Sequence, residues 1–134
     1  MSQPTAATLN RITSAIIAGA IDIHRSFGSG LLEGAYAACL AHGLARAGFQ
    51  VERQKPLPLT YDGLAIACAY RADIVVDGQV LVEVKAVETL SPVHHRQVRT
   101  YLQLGDYRVG LLLNFGAPTM KEGIDRIVNG FPDA

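Results

Sequence analysis

Apolar residues recur at helical spacing through the first third of the chain, shift to a strand period in the middle, and return to helical spacing once more. Ile12, Ile16, Ile17, Ala20, Ile23 and Phe27 lie three, four or seven apart, which predicts a helix over about 6–26 with one apolar stripe. Thr5 or Thr8 is placed to cap it, and Phe27-Gly-Ser-Gly30 breaks it. A second helix is predicted over about 31–47, with Leu32, Ala35, Tyr36, Cys39, Leu40 and Leu44 inward and Gly48 as its stop. From Phe49 the period drops to two. Residues 49–54 and 57–61 read as short strands separated at Lys55-Pro56, residues 64–76 as a longer strand, and 80–86 as a fourth. Ser91 and Pro92 open a third helix that runs to about 104, where Gly105 stops it. Residues 108–115 are almost continuously apolar, as in a strand buried on both faces, and residues 124–128 suit an edge strand. The order α-α-β-β-β-β-α-β predicts an α/β fold, a mixed central β-sheet flanked by helices.

The stretch from Tyr70 to Ala86 departs from this pattern in an informative way. It reads as two β-branched strands joined at Asp77-Gly78, yet it carries an acid at Asp73 and an acid and a base at Glu83 and Lys85. Residues two apart on a strand share a face, so Glu83 and Lys85 point one way and Val82 and Val84 the other. The side taken by Asp73 depends on the turn. A two-residue Asp-Gly loop pairs Ala72 with Glu83 and sends Asp73 to the opposite face. A three-residue loop, Val76-Asp77-Gly78, places Asp73, Glu83 and Lys85 together. If the three act jointly, the loop has an odd number of residues.

Composition narrows the classes. A length of 134 residues suits one domain, 1–134, that buries roughly two thirds of its unfolded surface. With 49% hydrophobic and 18% charged residues the chain has no disordered signature. Lys plus Arg and Asp plus Glu each number 12, which argues against coating long nucleic acid by charge alone but leaves room for a local basic cleft and for self-association. Cys39 and Cys68 sit in apolar runs without metal-ligand spacing and read as buried free thiols, a single bridge being the alternative. Asp22 and His24 interrupt the N-terminal apolar stretch, and no secretion pattern is seen, so no membrane partner and a cytoplasmic location are expected.

Two neighbouring carboxylates repel unless a cation lies between them. Magnesium suits them, being a hard ion that takes oxygen ligands and keeps several waters. A lysine beside it orients a bound water or stabilises charge on a phosphate, and metal, water and cation are the parts needed to attack a phosphodiester. Taken alone, Glu-x-Lys is a common solvent-facing pattern. Glu33, in the first turn of the second helix, is by itself explained by the helix dipole, a contribution under about 1 kcal/mol.

Further segments change the weighing. Gly30-Leu-Leu-Glu33-Gly-Ala-Tyr36, Asp22-Ile-His24-Arg, Gln54-Lys-Pro-Leu-Pro, Tyr70-Arg-Ala-Asp73, Glu83-Val-Lys85-Ala86-Val87, Gln97-Val-Arg-Thr-Tyr101 and Leu113-Asn114-Phe115-Gly116 stand in one order along the chain. From about Ile12 to Val128 the sequence resembles the PD-(D/E)XK nuclease superfamily, and closely its small bacterial branch of GxxExxY proteins; Gln97-x-x-x-Tyr101 resembles the motif of the RecB-like branch. The resemblance implies a restriction-endonuclease-like core and a magnesium-dependent nuclease, with manganese as a substitute ion. It implies metal ligation by Asp73, Glu83, the carbonyl of Val84 and, directly or through water, Glu33. Lys85 is then the catalytic lysine alongside Glu33, Asp73 and Glu83, while Gln97 and Tyr101 line the site, contacting the phosphate backbone or holding the lysine. The proline of the superfamily's name is replaced by Ala72 before Asp73.

Other residues read more plainly. His24 suits a packed or capping histidine, Tyr36 a core residue whose hydroxyl needs a partner near Glu33, and Asp77 a turn residue. His94, His95, Arg96 and Arg99 form a solvated face or a set of phosphate contacts near Gln97. The expected substrate is DNA, or RNA, cleaved by a metal-activated water. The alternative from another class is a non-catalytic nucleic-acid-binding or protein-assembly module that keeps the fold, with a homo-oligomer or a protein partner supplying positive surface.

Overall fold

The computed structural model describes residues 3–133. Its elements are α1 (Ala6–Phe27), α2 (Glu33–Arg46), β1 (Val51–Tyr61), β2 (Leu64–Val76), β3 (Val80–Lys85), α3 (Pro92–Gly105), β4 (Val109–Asn114), a 3-10 turn over Lys121–Gly123, and β5 (Ile124–Val128). The strands lie side by side in chain order, antiparallel except for the β3–β4 pair. That pair is parallel because α3 is the crossover that connects it. The result is a mixed α/β sheet flanked by helices, consistent with a restriction-endonuclease-like fold.

Alternation along the strands gives each face its own core. Ile74, Val76, Val80, Val82, Val84, Leu111 and Leu113 meet α1 and α2 on one side. Val75, Leu81 and Leu112 meet Val98, Tyr101 and Leu102 of α3 on the other. β4 is buried at every position, which accounts for its unbroken apolar run. Among the described residues no helix is long and apolar enough to cross a membrane.

Several local expectations need correction. The two strands predicted over 49–54 and 57–61 are one, β1; Pro56 and Pro58 are tolerated because β1 is an edge strand, and the irregularity appears as a left-handed Gln54 (φ 51°) and a register shift between Leu57 and Leu59. In α2 the helix starts at Glu33, so Leu32 lies outside it and is 82% exposed; Ala37 and Ala41 take the buried places assigned to Leu32 and Ala35. Phe27, at the last turn of α1, is exposed, while Leu9 and Thr13 join its buried face. Thr5 caps α1, its Oγ1 accepting the Thr8 N–H at 3.1 Å. Both cysteines are free, but Cys68 is exposed, because the outer part of the β1–β2 hairpin projects past the core.

The turn between β2 and β3 is odd-numbered. Val76 pairs with Val80, leaving Asp77-Gly78-Gln79 as the loop, one residue later than Val76-Asp77-Gly78. Asp77 and Gly78 are both left-handed (φ 52° and 64°). Asp77 is also more than a turn residue. Its Oδ1 accepts the Gln50 N–H at 2.8 Å and its own N–H donates to the Gln50 carbonyl at 2.7 Å, tying the turn to the start of β1.

Candidate active site

Backbone pairing between β2 and β3 stops at Ile74 and Val82. Beyond that point two side chains take over the hydrogen bonding. The Asp73 N–H donates to Glu83 Oε1 at 2.9 Å, and the Val84 N–H donates to Asp73 Oδ2 at 2.8 Å. The strands fork, and the carboxyls of Asp73 and Glu83 meet in the fork, within hydrogen-bonding contact of each other. The odd-numbered loop makes this possible, since it gives Asp73 the parity of Glu83.

Glu83 is only 4% exposed. Burial, and then the charge of Asp73, push its pKa up to about 8, against the opposing pull of the Asp73 amide and the Lys85 ammonium. Asp73 is raised as well, first by burial and further by the charge of Glu33; the Val84 amide, Lys85 and a hydrogen bond from Gln54 work the other way. Near pH 7 the pair therefore holds a proton that two isolated carboxylates would have lost.

The remaining predicted residues surround this pair. Lys85 ends β3 with the same parity as Glu83, half-buried, and its charge acts on both acids. Tyr101 is 5% exposed on α3, with Gln97 one turn away and close enough to pull its phenol pKa down. Burial, then Glu83 and Asp73, push its phenol up to about 12, so it stays protonated and able to donate. Glu33, the first residue of α2, is exposed to solvent yet close enough for its charge to raise Asp73. The structure thus brings Glu33, Asp73, Glu83, Lys85, Gln97 and Tyr101 to one region; Val84 contributes its amide.

Other residues hold these in place. Asn114, 3% exposed, clamps the chain just after Lys85: its Oδ1 accepts from Val87 N and Gly116 N, each at 3.0 Å, and its Nδ2 donates to the Val87 carbonyl at 2.9 Å. The Phe115 N–H also donates to the Lys85 carbonyl at 2.8 Å. Tyr36 is fully buried, its ring stacked 4.3 Å from Phe115; its hydroxyl donates to the Gly28 carbonyl and accepts the Leu31 N–H. That fixes the α1–α2 connection and with it the start of α2 at Glu33. His24 lies 3.0 Å from the Ala117 carbonyl and is a structural tether, as a packed histidine should be.

Sequence reasoning missed Gln54 as a neighbour of Asp73, because the left-handed backbone that turns it there leaves no trace in hydrophobic periodicity. Conversely, His94 and His95 are absorbed locally. His94 Nδ1 accepts the Ser91 N–H at 3.2 Å, and His95 Nε2 faces Asp125 at 2.9 Å. Arg96 alone of that run lines the groove beside Gln97 and Tyr101.

A family model described as the PD-(D/E)XK nuclease superfamily matches residues 10–127. The chain belongs to this superfamily. No curated protein and no solved structure shows significant similarity to it. In this PD-(D/E)XK chain Asp73 and the Glu83-Val84-Lys85 triplet stand on adjacent strands whose pairing ends at Ile74 and Val82. The superfamily generally comprises metal-dependent nucleases. The donor set here fits a divalent metal in chemistry, being two hard carboxylates that retain a proton where a cation would otherwise offset their repulsion. Among the described residues no three Asp, Glu, His or Cys side chains close around one point.

Proposed function

We propose that this chain is a magnesium-dependent nuclease of the GxxExxY, RecB-like branch, hydrolysing phosphodiesters of DNA or RNA, with manganese as a substitute. The observation that carries the proposal is the fork, where Asp73 and Glu83 are held side by side under the charge of Lys85. Asp73 and Glu83, with the Val84 carbonyl, would hold the ion, and Glu33 would reach it through water. Bound magnesium supplies Lewis-acid polarisation of a phosphate oxygen and a more acidic water. Lys85 orients the attacking water and stabilises charge on the phosphate. Tyr101, kept protonated, donates a hydrogen bond, and Gln97 fixes its direction. The test is cleavage of single- and double-stranded DNA and RNA with magnesium or manganese, comparing the wild type with Lys85→Ala and Asp73→Ala. Both variants should lose activity by about a hundredfold or more. Activity indifferent to both substitutions would refute the assigned roles.

The equality of 12 basic and 12 acidic residues favours one other reading, a module that binds nucleic acid or a protein without cutting. It is supported if the wild type cleaves no substrate under any metal, yet still binds one.

A further inference from the structure

Tyr70 lies three residues before Asp73 on β2 and is 43% exposed. Its ring sits 5.3 Å from that of Tyr101 with a 43° tilt, so the two do not stack and Tyr101 does not cover it face to face. Together they form one wall of a groove of about 340 Å³, completed by Val93, Arg96, Gln97 and Thr100 of α3. Among the described residues no acid lines this groove. Its walls are aromatic and apolar, and its polar groups belong to Arg96, Gln97, Thr100 and the phenols. Gln97 and Tyr101 also belong to the proposed active site, and Tyr101 is near enough to Glu83 and Asp73 for their charges to raise its phenol, so the groove lies beside the fork.

We infer that this groove is a stacking subsite for one unpaired base of a single-stranded nucleic acid whose phosphate lies at the fork. The inference rests on the nuclease reading above and names the substrate class for that site. Stacking on an aromatic ring needs no sequence, because every base has a π face, and a guanidinium beside the ring adds to it. A base inside a duplex is already stacked on its neighbours and cannot reach Tyr70 unless the strand is open there. The chain's zero formal net charge points the same way: a short strand gripped through its bases needs fewer cations than a duplex gripped along two backbones. Thr100 and Gln97 offer groups that a sugar or a base edge of either DNA or RNA satisfies, so both sources share this chemistry.

The experiment is equilibrium binding by the full chain, with calcium replacing magnesium, of short DNA and RNA single strands carrying one 2-aminopurine, and of the same strands as duplexes. The expected result is quenching of the 2-aminopurine on binding single strands. Tyr70→Ala should abolish the quench and weaken binding about tenfold or more, while Tyr70→Phe retains both. Tyr61→Ala, at a 74% exposed position at the far end of the hairpin, should leave both as in the wild type. Tyr70→Ala binding and quenching like the wild type would overturn the subsite, and so would equal binding of duplex and single strand. If the wild type nonetheless cleaves nucleic acid in magnesium, the nuclease reading survives that failure; if it neither binds nor cleaves any strand, both fall.

Discussion

Asp73 and Glu83 each bond to a main-chain amide of the opposite strand: Asp73 Oδ2 accepts the Val84 N–H and Glu83 Oε1 accepts the Asp73 N–H. Each carboxyl therefore fixes the position of the other while spending one oxygen on the scaffold. The two carboxyls are also in contact with one another, where either a shared proton or a divalent cation relieves the repulsion. On this account the acids are at once the closure of the fork and its binding site.

One consequence is a pH dependence of metal-free stability. Glu83 titrates at about 8 in the fold against an ordinary 4.5. Between those values the folded chain binds more protons than the unfolded one, so the contribution is fully present below about 4.5 and is lost as pH rises through about 8. Thermal melting in a chelator should show a falling Tm across that range. Glu83→Gln, which keeps the shape without the titration, should flatten the decline, and added magnesium should restore the wild-type Tm at the alkaline end.

Much of this architecture is legible in the chain, for identifiable reasons. The helical stripes of α1 and α3 are long and periodic and the apolar run of β4 is nearly continuous, and their packing follows these patterns except at Phe27, which is exposed. Asp73, Glu83 and Lys85 were conspicuous because charges are costly on a strand rich in valine. What stayed hidden was set by backbone geometry rather than by pattern. Pro56 in β1 reads as a break, yet an edge strand tolerates it. Gln54 reaches Asp73 through a left-handed residue, and the turn slid by one place because Asp77 accepts positive φ and pairs with Gln50.

Asn114 is the clamp that sets where Lys85 stands. Asn114→Ala removes three hydrogen bonds and strands half-buried amide groups of Val87 and Gly116. Urea unfolding should show a loss of about 2–3 kcal/mol. Any nuclease activity should drop further than the folded fraction does, because a misplaced Lys85 loses its orientation.

Gly116 and Gly43 make a contrasting pair. A Cβ at Gly116 would lie 2.2 Å from the Val87 carbonyl oxygen, so Gly116→Ala must push that backbone aside, costing about 2 kcal/mol or more. A Cβ at Gly43, inside α2, meets nothing within 4 Å. Gly43→Ala should stabilise by roughly 0.5–1 kcal/mol. Denaturant midpoints of the two variants should move in opposite directions.

Tyr36 offers a test of how Glu33 is positioned. Tyr36→Phe keeps the stack on Phe115 but removes the hydroxyl that joins Gly28 to Leu31. Stability should fall by about 1–2 kcal/mol in chemical denaturation. Hydrogen exchange should rise locally, in the α1–α2 connection and first turn of α2, rather than across the sheet.

The exchange of a proton for a cation at the fork is best tested by calorimetric titration of magnesium or manganese into the wild type and Glu83→Gln, near pH 7, in two buffers of different ionisation enthalpy. The account predicts release of close to one proton per ion bound by the wild type, and weaker binding with little or no release by Glu83→Gln. Binding of equal strength to both proteins with no proton released would contradict it.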